Sequence, residues 1–449
     1  MGKRFSRTLA LLAACVLAAG AGSGAASAAA GITTSATPSG SIVSSANVGA
    51  LQTYIQRYPD QFSGVYIDTT THTVTVDAAA ASSTTANALL GRELSALPRT
   101  AATSASTGLD LSVRMVRYSQ SQLDTVMSQI TSQAPWAALA RPVLARWGVD
   151  PISDTVVVGV TQLSPQLAAV ARSVFGGEVT LETQQRPDFA TNTTKLPPDY
   201  RVVDVSSGKA STSSAVSPNV APDPSRLLDT TPYFGGDRIY RLVAVTGGTE
   251  LIQCTVAFKW AVPSMSGAGH CGPTGTIWAQ GYYEPSNNTL YKTGTMGTVY
   301  STQWGNQRID GELMSGGSWD PFVYIQLQSA VAVGGSGAPT IGATTCTDGS
   351  YTNQNCTALI SQINQCVTVN DNGTPVDVCG LDIATSTNGT LLCQPGDSGG
   401  PVYRHSGSYV FADGIISACS GDLSPGGKTV YFTDITRMIS TFGSAIATS

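Results

Sequence analysis

A serine set among glycines is the first residue able to do chemistry. The run Gly396-Asp397-Ser398-Gly399-Gly400-Pro401 suits a tight turn with an exposed hydroxyl, and glycine at 396 lets backbone N–H groups face a developing oxyanion. A serine hydroxyl is a weak nucleophile and needs a general base. The chain holds three histidines, His72, His270 and His405. His270, in Gly267-Ala268-Gly269-His270-Cys271, is the candidate base, and His405, in a polar turn after the serine, is its rival. Such a pair performs acyl transfer. Three histidines, with no HExxH and no paired CxxC motif, argue against a metal centre. No metal and no cofactor are expected.

These residues need a rigid frame. The 449 residues allow about three domains of average size. Hydrophobic residues make up 42% of the chain, enough for a sizeable core, which excludes disorder of the whole. Lys and Arg total 24 against 29 Asp and Glu, so no basic surplus exists to track phosphates, and nucleic acid is excluded as a partner. The opening is basic at Lys3, Arg4 and Arg7, then apolar and rich in alanine, with Ala-x-Ala sites near its end. Residues 1–30 therefore read as a secretory signal, and the mature protein as secreted and extracellular. Cys15 follows Leu12-Ala13-Ala14 as in a lipoprotein box, but the apolar stretch before it is too short for one. No other stretch is long enough to span a membrane, so none is expected to hold the mature form.

Apart from Cys15, all eight cysteines lie in the second half: Cys254, Cys271, Cys346, Cys356, Cys366, Cys379, Cys393 and Cys419. In an exported protein this reads as four disulfides, with the pairing left open by counting alone. Residues 31–205 contain no cysteine. Residues 52–58 look helical, and residues 62–77 alternate as a hairpin with His72 at its turn. Residues 154–160 read as a strand, Ser164 and Pro165 as the start of a helix ending near Gly176, and residues 179–182 as another strand. This half is α+β. Residues 206–231 are rich in Ser, Pro and Ala and read as a linker open to cutting. Residues 232–449 show short apolar runs broken by Gly, Asn and Ser, which predicts an all-β barrel or sandwich with a helix over residues 433–447.

The two motifs GDSGGP and GHC together resemble the chymotrypsin-like serine proteases, in particular the secreted actinomycete branch of α-lytic and streptogrisin type. The likeness covers residues 233–449, where FGGDRIY resembles the start of mature enzymes of this branch. More weakly, the hairpin and the strand-helix unit resemble their pro-regions. The resemblance implies a double β-barrel with a C-terminal helix, preceded by an α+β pro-domain. It also implies a secreted serine endopeptidase acting on protein or peptide substrates through a Ser-His-Asp triad.

The family's chain order His, Asp, Ser places the carboxylate between His270 and Ser398. The candidates are Asp310, Asp320, Asp348, Asp371, Asp377 and Asp382. Asp310 sits where the family places its aspartate, just before a buried strand; Asp320 is the runner-up. Gly396 and Ser398 would supply the oxyanion hole. The resemblance further implies the bridges Cys254–Cys271, Cys346–Cys356 and Cys393–Cys419, which leaves Cys366–Cys379. Leu391 and Leu392 fall at the pocket floor and Ser417 at the substrate-binding edge. With no carboxylate at that floor, an apolar residue before the scissile bond is expected. Thr347 stands where some relatives carry an arginine, which leaves Asp397 without a named partner. The pro-domain is expected to act as folding template and inhibitor, with the maturation cut just before Tyr233. The alternatives are an inactive protease-fold binding protein and an esterase using the same triad.

Overall fold

A computed structural model describes residues 42–43, 45–96, 109–189, 191–206, 225–371, 373–421 and 426–449. The expected secretory signal and most of the expected linker, residues 207–224, lie outside the described residues. The first lobe joins helices α1 (Ser45–Ile55) and α2 (Ser83–Ala96) to strands β1 (Phe62–Asp68), β2 (Thr73–Ala79) and β3 (Leu109–Val116). The hairpin β1–β2 forms in the register its alternation implies, with Val65 opposite Val76 and Ile67 opposite Val74. His72 is exposed at the turn. Helix α1 begins earlier than the sequence suggested, because Val48, Leu51 and Ile55 form the buried stripe.

The second lobe contains α3 (Gln120–Gln129), α4 (Trp136–Ala140) and α5 (Pro165–Phe175), with strands β4 (Leu144–Asp150), β5 (Thr155–Val160) and β6 (Val179–Thr183). Ser164 caps α5 by accepting from the Leu167 N–H at 3.1 Å. Gly176, at φ 61°, ends it. Leu167, Ala171 and Phe175 bury one face of α5 against Val156, Val158 and Val160 of β5. Three short strands follow: β7 (Asp188–Phe189), β8 (Asn192–Leu196) and β9 (Arg201–Asp204).

The C-terminal half holds two six-stranded rings. The first comprises β10 (Arg238–Val245), β11 (Gly248–Thr255), β12 (Ser264–Gly267), β13 (Ile277–Glu284), β14 (Thr289–Gln303) and β15 (Gly311–Ser315). Ladders run β11–β10–β13–β14–β15–β12. The ring closes where Ala257 and Phe258, just past β11, hydrogen-bond Ser266 of β12. The second comprises β16 (Thr344–Gly349), β17 (Asn353–Asp371), β18 (Thr374–Ser386), β19 (Pro401–Ser406), β20 (Tyr409–Ser420) and β21 (Thr429–Asp434). It closes fully through β16–β17–β18–β21–β20–β19–β16, and closure removes free edges. Helix α6 (Ile435–Phe442) is capped by Asp434 and stopped by Gly443 at φ 66°, short of the expected residue 447. This is the chymotrypsin-like double-barrel fold, behind an α+β region. The three disulfides that the resemblance implied form, and the remaining cysteines pair as Cys366–Cys379.

One expected boundary moves. Arg226, Leu228 and Asp229 are buried, so residues 226–229 are part of the C-terminal half rather than linker. Arg226 donates from its backbone N–H to Leu327 and from Nε to Gly236, and its guanidinium meets Asp348 at 2.6 Å. Ser, Pro and Ala richness conceals this, since one arginine finds its carboxylate 122 positions away.

Candidate active site

Ser398 rides on a turn that only glycines permit. Gly396 and Gly399 have φ of 104° and 84°. A Cβ at Gly396 would lie 2.1 Å from a Tyr351 ring carbon, and one at Gly399 would lie 2.3 Å from the Thr255 carbonyl oxygen. The turn is pinned between the barrels. The Thr255 N–H, at the end of β11, donates to the Ser398 carbonyl at 2.8 Å, and the Gly399 N–H donates to Ile416 of β20 at 2.7 Å. The N–H groups of Asp397, Gly399 and Gly400 are spent within this frame. Among the described residues, those of Gly396 and Ser398 take no backbone partner.

The fully buried Asp397 anchors the turn. Its carboxylate accepts from the N–H groups of Tyr351 and Gln394, both at 2.8 Å, from the Thr352 N–H at 3.3 Å and from the Thr352 hydroxyl at 2.8 Å. Burial raises its pKa, and these donors oppose the rise. A nest of backbone donors thus does what a cation does elsewhere. The sequence left this partner unnamed because backbone donors have no residue signature.

His270 sits in a short 3-10 turn, Gly269–Cys271, that the Cys254–Cys271 bridge ties to β11. Its Nε2 is 2.9 Å from the Ser398 Oγ, and its Nδ1 is 2.6 Å from the Asp310 Oδ2. The Asp310 Oδ1 accepts from the His270 backbone N–H at 2.9 Å, which fixes ring and main chain together. Asp310 immediately precedes β15 and is fully buried. Burial would raise its pKa. The charge and hydrogen bonds of His270 and the Ser417 hydroxyl, 2.5 Å away, outweigh burial and hold it below the usual carboxylate range.

The structure therefore joins His270, Asp310 and Ser398. Asp320 is half-exposed and lies 3.9 Å from Lys259, away from the histidine. His405 is exposed beside Gln354. Ser417, expected at the substrate-binding edge, lies on β20, and its hydroxyl donates to Asp310. A cavity of ≈ 710 Å³ opens beside the serine turn, with Pro395, Cys419, Gly426, Thr429 and Tyr431 on its wall. Neither Leu391 nor Leu392 is among its described lining residues. Leu392 instead packs with Val402 and Phe432 inside the second barrel, because its N–H is bonded to the Gly427 carbonyl and its side chain turns inward.

Sequence reasoning missed Phe189 and Trp304. The Phe189 ring stacks on the His270 imidazole at 4.0 Å and meets Trp304 edge-on at 5.9 Å. Around it, Asp188 and Phe189 pair antiparallel with Cys419 and Ala418, while Asn192–Leu196 pairs antiparallel with Gln253 through Thr249. No local pattern marks these two aromatic residues, since their partners come from distant strands.

No family model matches the chain. Streptogrisin-C of Streptomyces griseus is 31% identical over 202 residues, covering 44% of this chain and 38% of that protein. The chain thus spans well under half the length of this relative. Among solved structures, Cellulomonas bogoriensis chymotrypsin is 25% identical, over 48% of this chain and 98% of that one, with a TM-score of 0.35. Thermobifida fusca Protease A is 26% identical over the same shares, with a TM-score of 0.36. The likeness to bacterial chymotrypsin-like serine proteases of streptogrisin type, read from GDSGGP and GHC, is borne out.

Proposed function

We propose that this chain, whose C-terminal half is similar to bacterial chymotrypsin-like serine proteases, is a secreted serine endopeptidase made as a zymogen. The observation that carries the reading is the unbroken line from Ser398 through His270 to Asp310, at 2.9 and 2.6 Å. His270 takes the Ser398 proton as the Oγ attacks the scissile carbonyl. Asp310 holds the imidazole's tautomer and stabilises the imidazolium. The oxyanion forms beside the Gly396 and Ser398 N–H groups. His270 then protonates the leaving amine, and water, activated by the same histidine, releases the acyl group from Ser398.

The N-terminal half is the folding template and inhibitor. Strands β7 and β8 lie along the two edges of the cleft, and Phe189 covers the catalytic histidine. Strand β4 extends the second barrel through β17, with Trp147 opposite Cys366. A partner strand that extends a sheet supports a template role, because non-local β-pairing is slow. Four disulfides fit an oxidising, extracellular destination. The test is fluorophosphonate labelling of the secreted, activated protein with mass spectrometry of the adduct. Label on Ser398 together with casein cleavage supports the reading. Label without peptide cleavage would make it an esterase, and a folded protein that takes no label would be inactive.

A further inference from the structure

Strands β7 and β8 run in one direction across the cleft and leave little chain between them. Phe189 is opposite Ala418 of β20, and Asn192 is opposite Gln253 of β11. Both partner strands are bonded to the catalytic turn: β20 through Ile416 to Gly399, and β11 through Thr255 to Ser398. Three residue steps separate Phe189 from Asn192. Fully extended they span at most about 11 Å. That is too short for a detour, so Phe189 and Thr191 both stay at His270, whose Nε2 is 2.9 Å from the Ser398 Oγ. Thr191 and Thr193 line the same cavity as Phe189, His270 and Cys271. An added strand held by main-chain bonds, on both sides of a nucleophile, is how a protease holds a peptide it cuts.

We infer that the chain cuts itself once between Phe189 and Asn192, more than 40 residues before Tyr233. The inference rests on the protease reading of Ser398. The Ser398 Oγ adds to the carbonyl carbon of the presented bond while His270 accepts the hydroxyl proton. The C–N bond breaks, and the amine leaves with that proton as the N-terminus of the downstream piece. Water then adds its OH to the acyl carbon and returns a proton to Ser398. The two pieces stay on the enzyme by different contacts. The downstream piece keeps the ladders of β8 with β11 and of β9 with β14. The upstream piece keeps Phe189 on His270 and the Arg146 contacts to Gln362 and Gln365. The cut therefore precedes release of the cleft and does not itself complete it.

The experiment is terminal mapping by mass spectrometry of the secreted full chain and of Ser398→Ala, with fluorophosphonate labelling of the wild-type protein once the N-terminal half has been removed. In parallel, a synthetic peptide of residues 184–196 is offered to the labelled-competent enzyme. The expected result is an upstream piece ending at 189, 190 or 191, absent from Ser398→Ala, and peptide cleavage in the same window. A labelled, casein-cleaving enzyme whose termini and peptide products all fall elsewhere would overturn the inference and leave the protease reading standing. A folded wild-type protein, freed of its N-terminal half, that takes no label would overturn both.

Discussion

Replacing Arg226 with methionine tests whether the segment before Tyr233 belongs to the enzyme. Arg226 and Asp348 are both fully buried and 2.6 Å apart. The Asp348 carboxylate also accepts from the Tyr403 hydroxyl at 3.1 Å. Burial pushes Asp348 up to about 6, against the opposing pull of Arg226 and Tyr403. Arg226→Met leaves that carboxylate buried without its cation, which costs about 3–5 kcal/mol. At about 2–4 °C per kcal/mol for a domain of this size, the melting temperature should fall by roughly 6–20 °C. The loss should reach catalysis too, because Asp348 leads through Gly349 into the Tyr351–Thr352 turn that clamps Asp397. The assay is thermal unfolding in a Ser398→Ala background, which prevents self-digestion. Arg226→Met/Asp348→Asn should recover a good part of the loss, since the orphaned charge is gone. A fall under about 1 kcal/mol, or no recovery in the double variant, would refute the reasoning. The same pair predicts that the mature enzyme starts at or before residue 226 rather than at Tyr233, which intact-mass measurement checks.

Other outcomes follow from the same geometry. Asp310→Asn should keep the fold but lower kcat by roughly 10³–10⁴-fold, because the imidazole loses its tautomer control; near-normal turnover would exclude Asp310 from the triad. Asp413 is buried beside Arg404 and is pushed up to about 6 by burial, above its ordinary value of 3.8. The folded state then holds this proton more tightly than the unfolded chain, so its contribution to stability falls as pH rises from about 4 to about 6. Asp413→Asn should flatten that part of a pH series of melting temperatures, and an unchanged slope would count against the assignment. Phe189→Ala in the separated N-terminal half should weaken inhibition of the activated enzyme, read as a higher inhibition constant, while an equal constant would show that the ring on His270 contributes nothing.

The chemistry was legible in the sequence where it depended on rare residues in locally constrained settings. Ser398 and His270 sit in glycine motifs that fix their own backbone, and three histidines left few choices. The strand-helix unit around Ser164 and Pro165 was equally local, since a cap and a buried face lie within one helix. Asp310 was one of six candidate aspartates, chosen by likeness to a family. Only the fold brings its two oxygens to the ring and backbone of a residue 40 positions earlier. The partner of Asp397 stayed hidden because backbone N–H groups are the same in every residue; what matters is a turn 45 and 46 positions away. Arg226 looked like linker for the same reason, since its carboxylate is distant. The strap across the cleft is the extreme case, with Phe189 paired to a strand more than 200 positions on. Local sequence determines which groups can react and how their turns bend. Long-range pairing decides which of them meet, because hydrogen-bond ladders and burial are satisfied across the fold and not along the chain.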